Sequence, residues 1–474
     1  MNNITSREKE IFENAPVFSA IMKLALPSVV GQIILVIYNM ADTLFVSLTG
    51  SDAMITAVTV CMPAFMFLSA ISNLFGVGGA SVIARALGKG DEERAKHTYE
   101  FAIWGCIAVT SIYCLGAYLL LDGFVDVLGG SAPAVHPHAA AYLKIAVIVG
   151  GLVTSMNTLF AHLLRARGKA LLASAGIAVG GILNIGLDPL FMFLLFPAGN
   201  EALAAAAATA ISNAFALLFY IVIAVRDRKK TKLSARPDVR MFRDGIPKAV
   251  IYVGIPACLM TLCENISYAV LDKLMSFSGI AAQTGIGVAK KINMLAHSIV
   301  RGMAHGVLPL IGYNYAAGNR VRMKSVVFLS AALSVGISVA CMLPSFFLSN
   351  SLVGIFIRAE SESRAFGSAF LKILCVGAPF SAFSYSVISF FQATGRGGKS
   401  LILALLRKGI LDIPLMFLLF ELWPVYGIVA ATPAADFLCC ATAVFLFSVF
   451  IKRHGANKYS FIAARQLPDG ERTE

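Results

Sequence analysis

Charge is what this chain has least of. Only 14% of its 474 residues are Asp, Glu, Lys or Arg, against about a quarter in an ordinary soluble domain. Its longest polar stretch, Arg226–Lys248, is too short to bury a core, so no separate soluble domain is expected. Nucleotide-binding signatures are missing too. The stretch GRGGKS (395–400) lacks the earlier glycine of a phosphate loop, because Ala393 stands there, and it follows no strand. No ATP-driven chemistry is therefore encoded. Nine cysteines fall inside or at the ends of apolar runs, Cys61, Cys106, Cys258 and Cys439 among them, with no metal-ligand spacing. They read as small hydrophobes. Residues 1–18 are polar and carry no apolar core before a small-residue cleavage site, so no cleavable signal peptide is expected.

What replaces charge is apolar sequence in long runs. Hydrophobic residues make up 58% of the chain, and mean hydropathy is +0.78. About 20 consecutive apolar residues cross a bilayer core as a helix. A helix is needed because backbone groups in lipid must bond internally. The pattern predicts twelve transmembrane helices, at 19–47, 53–86, 98–122, 137–164, 170–196, 202–225, 248–277, 281–313, 325–350, 362–393, 400–421 and 424–451.

Lys and Arg sort by loop parity. Alternate connections hold Arg85, Lys89, Arg94, Lys96, Arg165, Arg167, Lys169, Arg320, Arg322, Lys324, Arg396 and Lys399, and the central loop adds eight more from Arg226 to Arg243. On the other side only Arg358 and Arg364 are found. By the positive-inside rule both termini and the central loop are cytoplasmic. This asymmetry accounts for most of the +13 net charge, so no nucleic-acid partner is expected.

The chain also repeats itself. Pro27 and Gly50 recur 229 positions on as Pro256 and Gly279. Gly90, Arg94 and Lys96 recur at a shift of 228 as Gly318, Arg322 and Lys324, and Tyr142–Ile145 recurs as Phe370–Ile373. Glycines, prolines and charges in one register imply two six-helix lobes of like orientation around a central cleft. The expected organisation is an N-terminal lobe (1–225), a basic linker (226–247), a C-terminal lobe (248–452) and a cytoplasmic tail (453–474).

Ionisable groups inside spans are costly unless they face a cavity or a partner. The candidates are Asp42, Asp188, Glu264, Lys290, Lys291, Asp412 and Asp436. Asp42 lies late in the first helix, with Asn39 and Tyr38 on its face. Asp188 lies late in the fifth, with Asn184 one turn before it. Thr209 on the sixth helix falls at a similar depth, and Asn157 near the middle of the fourth. Carboxylate, amide and hydroxyl oxygens at one depth suit a proton or a hard cation such as Na⁺. The competing reading is that Asp188 ends a helix before Pro189, or that the acids pin helices together. Glu264 either pairs with Lys291 or meets substrate. Asp412 and Asp436 read as structural.

At these residues the sequence resembles the MATE (multidrug and toxic compound extrusion) family. The resemblance spans essentially the whole chain, through LALPSVVGQIILVIYNMADTLFV on the first helix, LRARGK after the fourth, GILNIGLDPLF on the fifth and PLIGYNYAAG closing the eighth. The bacterial DinF-like and MepA-like branches are the most similar. The resemblance implies a monomeric antiporter in the bacterial cytoplasmic membrane, not an enzyme, exporting organic cations against inward H⁺ or Na⁺ and needing no other cofactor. It implies that Asp42, Asn157, Asn184, Asp188 and Thr209 match the family's cation-site positions, with Na⁺ falling to Asp42, Asn184 and Asp188. Tyr38, Asn39, Glu264 and Lys291 are then expected on the substrate cleft. Pro27 matches the proline at which the first helix can bend. The NorM-like branch pairs an acid on the seventh helix with one on the tenth. Here Glu264 supplies the first, and PFSAFSYSVISFF supplies no second. The rival functions are a flippase for lipid-linked saccharides, which would want a cationic cleft, and a channel or non-transporting scaffold.

Overall fold

Long apolar runs punctuated by Gly, Pro and charge become helices here. The computed structural model describes residues 6–197, 199–228, 236–358 and 360–465. The middle of the expected linker (229–235) and the end of the expected tail (466–474) lie outside the described residues.

The first half comprises α1 (Ser6–Glu13), α2 (Val17–Leu48), α3 (Asp52–Gly88), α4 (Glu92–Leu119), α5 (Leu121–Leu128), α6 (His136–Leu143), α7 (Gly151–Ala166), α8 (Ala170–Leu190) and α9 (Glu201–Arg228). The second half comprises α10 (Ile246–Ser276), α11 (Ile280–Ala316), α12 (Arg320–Phe347), α13 (Ser349–Gly354), α14 (Glu362–Val376), α15 (Ala378–Ala393), α16 (Gly397–Leu405), α17 (Asp412–Leu422) and α18 (Tyr426–Arg465).

Among the described residues nine helices are long and apolar enough to cross a bilayer, and the bent pairs α6–α7 (48°) and α14–α15 (41°) add two spans. The twelfth is α16–α17, broken by a π-turn at Leu406–Ile410. Twelve spans in two six-helix lobes agree with the sequence pattern. The bends do not follow from it, because hydropathy reports length and not straightness. The fourth expected helix, read as one rod over 137–164, carries a π-turn at Lys144–Val149. Its counterpart breaks at Gly377.

The lobes meet through their first two helices in a crossed pattern, α2 on α11 and α3 on α10. Lipid gives helices no hydrophobic reason to associate, so close approach needs small residues. A Cβ on Gly254 of α10 would overlap the Leu74 carbonyl of α3, and one on Gly78 of α3 would overlap the Val250 carbonyl. On the other seam a Cβ on Gly306 of α11 would lie 2.6 Å from the Leu24 oxygen of α2. These close glycine approaches fall in the half of each helix nearer the end where α1 lies. The short helix α1 straps the same end. Lys169 of the first lobe lies 3.5 Å from Glu8. From the second lobe, the Tyr313 hydroxyl donates to Glu13 (2.6 Å) and Arg322 Nε donates to the Phe12 carbonyl (2.9 Å).

Gly254→Ala is expected to wedge α3 from α10 and to destabilise the protein by roughly 1–3 kcal/mol, the usual cost of overpacking. Gly287→Ala is the control, because a Cβ there meets open space. Melting in detergent should show Gly254→Ala well below the parent and Gly287→Ala at or above it. Equal melting of the two would contradict so close a crossing.

Candidate functional site

Closing the lobes at one end leaves a cavity of about 250 Å³ between them, walled by α2, α3, α7, α8 and α9 on one side and by α10 and α11 on the other.

Glycines set the first wall. Gly181 of α8 faces Ile34 and Tyr38 of α2, where a Cβ would lie 2.9 Å from the Ile34 methyl. Gly180 sits against Ala216 of α9. With α8 pressed onto both neighbours, Asn184 and Asp188 lie one and two turns further along the same face. There the Asn184 amide donates to Asp188 Oδ1 (3.0 Å) and to the Thr209 hydroxyl (3.4 Å). Asp42, one turn beyond Tyr38 on α2, lies within electrostatic reach of Asp188. Asn157 Nδ2 donates to Asn213, whose own amide donates to Thr154 (3.1 Å each).

The bonds fix the amide orientations and leave oxygens over. Asp42 Oδ1, Asn157 Oδ1, Asn184 Oδ1 and Asp188 Oδ2 are buried with no hydrogen-bond partner among the described residues. Buried acceptors without donors are expensive. A proton or an oxygen-seeking cation relieves that cost, and a metal preferring nitrogen or sulfur would not. Asn157, Asn184 and Thr209 line the cavity, whereas Asp42 and Asp188 stand buried in the wall.

The second wall differs. Glu264 faces the cavity paired with Arg301 (2.9 Å), not with Lys291. Lys290 takes Asp272 instead, and Lys291 is not among the lining residues. A helical turn decides this: α11 brings Arg301, almost three turns beyond Lys291, opposite Glu264. Tyr38 and Asn39 do line the cavity, with Phe65, Met66, Tyr268 and Met294 as its apolar surface.

Deeper in this lobe are two charged residues absent from the sequence reading, Arg407 and Lys408. The π-turn points both inward. Arg407 pairs with Asp436 (2.8 Å), donates to Ser381 (3.0 Å) and covers the Tyr385 ring at 4.3 Å. Lys408 pairs with Asp412 (2.9 Å), which also accepts from Ser267 (2.6 Å) and Thr432 (3.0 Å). The available signal was two adjacent basic residues inside an apolar run. His162, His297 and His305 also line the cavity unanticipated, as does Arg165, read by position as a loop charge. A residue in the last turn of a helix directs its side chain back toward the preceding turns, so Arg165 turns into the cavity.

The MatE family model matches residues 27–190 and again 256–418. The chain belongs to the MatE family. This MatE chain is 30% identical over 441 residues to the multidrug export protein MepA of Staphylococcus aureus strain MRSA252, covering 92% of this chain and 94% of that one. It is 28% identical over 440 residues to MepA of Staphylococcus saprophyticus, with the same coverage. Its fold matches a multidrug resistance MATE family transporter solved in an outward-facing conformation, with a TM-score of 0.84 at 22% identity over 95% of this chain and 99% of that one. As a family member it is a multi-pass membrane transport protein rather than an enzyme.

Proposed function

We propose that this MatE chain is a secondary antiporter of the bacterial cytoplasmic membrane that exports amphipathic organic cations in exchange for H⁺ or Na⁺. The observation that carries the reading is the set of four unpartnered oxygens on Asp42, Asn157, Asn184 and Asp188, in one wall of a cavity that both lobes share. The multidrug export relatives support drugs and other toxic compounds as cargo. The cavity is complete within one polypeptide, which supports a monomer.

The mechanism follows from the placement of α2. It carries Asp42 and Tyr38 at the site, Pro27 in its interior, and the seam with α11. Proline removes one backbone hydrogen bond and permits a bend. An ion neutralising the acids changes what α2 prefers to pack against, so ion and substrate favour opposite states of the same lobe. The Lys/Arg asymmetry supports cytoplasmic termini. The seams near the termini then correspond to an outward-facing state.

The test is efflux of a fluorescent organic cation from proteoliposomes, with the pH and Na⁺ gradients imposed separately. One gradient should drive the dye uphill, and the substrate should undergo counterflow. Uphill movement with neither gradient, or conduction without counterflow, would refute antiport.

A further inference from the structure

The unpartnered oxygens have an opposite number at the other end of the cavity. Arg165 is 3% exposed, yet its Nε and Nη2 have no hydrogen-bond partner among the described residues. No carboxylate among the described residues pairs with it. Arg301, across the lobe interface, keeps Nε unpartnered while it holds Glu264, and His305 keeps Nδ1 unpartnered. All three line the cavity. The two helices are tied together at this floor. The His162 and His305 rings pack edge to face at 4.9 Å, and Arg165 and Arg301 both act electrostatically on His305.

Neighbouring bonds assign the His162 proton. The Thr261 hydroxyl donates to the Ala257 carbonyl (3.0 Å), so it accepts from Asn73 Nδ2 (2.9 Å). Asn73 Oδ1 therefore faces His162 Nε2 (3.1 Å), which must donate. That network is satisfied without Arg165, so the arginine is not a strut within it. A buried guanidinium with idle donors and no counter-ion is among the costliest groups a membrane protein can keep. The ligand that relieves it is an anion, and guanidinium geometry favours a carboxylate or phosphate.

Along α7, Asn157 and Arg165 lie roughly 12 Å apart at 1.5 Å per residue. Idle acceptors thus stand at one end of the cavity and idle donors at the other. We propose that the floor is a binding site for an anionic group, with Arg165 as its principal ligand, and that the preferred cargo is an amphipathic zwitterion whose cationic end faces the acids and whose carboxylate meets Arg165. The proposal rests on the antiport reading for its direction of transport, but the site itself is a matter of binding.

Equilibrium dialysis of the purified full chain in detergent can test it with rhodamine B, a zwitterion, and its ethyl ester, a cation of nearly the same shape. The parent protein should bind rhodamine B at least about tenfold more tightly than the ester, the scale of one charge-assisted contact. Arg165→Gln should erase that preference and leave ester affinity within about twofold. Arg165→Lys should retain part of it. Melting of Arg165→Gln at or above the parent would show that the fold survives loss of an uncompensated charge.

Equal affinities of the parent for the two dyes would overturn the proposal. So would an equal loss of both dyes in Arg165→Gln, which would mean cavity collapse. Repeating the titration at low and at high sodium chloride separates a carboxylate carried by the cargo from a free halide. Ester affinity that depends on chloride, with no preference for rhodamine B, would also overturn it. Failure of the antiport reading looks different: a preference abolished by Arg165→Gln in a protein that drives neither dye uphill.

Discussion

Asp42→Asn should insert and fold normally and lose uphill efflux. The side chain is buried, with Oδ1 unpartnered, and it acts electrostatically on Asp188, itself fully buried with Oδ2 unpartnered. Asparagine preserves the shape and removes both the charge and the ability to bind a proton. It also removes an electrostatic conflict, so melting in detergent should not fall. Coupling between two ligands of one protein is typically worth 1–3 kcal/mol, or about 5–150-fold. Gradient-driven efflux should fall on that scale, while downhill exchange of the dye persists. Asp188→Asn should behave alike. The double variant should be little worse than either single one, because the two acids share one ion and their effects are not additive. Undiminished uphill efflux by Asp42→Asn would remove the ion from this wall and leave Glu264 as the next acid to consider.

Lys408→Met should do the reverse, sparing the cavity and damaging the fold. Asp412 has three donors around its two oxygens, namely Ser267, Thr432 and Lys408. Removing the lysine leaves a carboxylate fully buried among hydroxyls. Breaking a buried pair in this way costs about 3–5 kcal/mol. The variant should be poorly expressed and melt well below the parent, and the fraction that folds should bind dye as before. Replacing both residues, Lys408→Met with Asp412→Leu, should recover most of the loss, since an apolar pair of similar volume is often neutral or better. A single variant that melts like the parent would show that the pair contributes nothing.

The buried acids separate on one structural criterion. Asp412 is satisfied by its own protein and is a strut. Asp42 and Asp188 keep unsatisfied oxygens and are candidates for a ligand that comes and goes. Composition cannot draw this line, because both kinds of acid sit singly in apolar runs. The same criterion distinguishes Arg407, held by Asp436 and Ser381, from Arg165, which keeps idle donors. Lys291 illustrates the converse. Its depth, comparable with that of Glu264, made an ion pair one of two alternatives, but α11 presents Arg301 to Glu264 instead.

Much of the molecule was determined by the sequence alone. Twelve spans, two lobes and the short roster of intramembrane acids follow from the price of exposing charge and backbone to lipid, which leaves its mark residue by residue. The gathering of Asn184, Asp188 and Thr209 was legible as well, because helical periodicity sets face and depth together. Only the tertiary structure decided what crosses between helices. It bent the fourth span and its repeat, turned Arg407 and Lys408 inward through a π-turn, matched Glu264 with Arg301, and brought Arg165 beside His305 of the other lobe. These choices depend on how closely backbones approach at Gly254, Gly78, Gly180 and Gly181 and on the rotation of each helix about its axis. Neither is encoded in local periodicity. They arise from packing between residues far apart in the chain, and that packing chose which buried groups are satisfied and which remain free to bind.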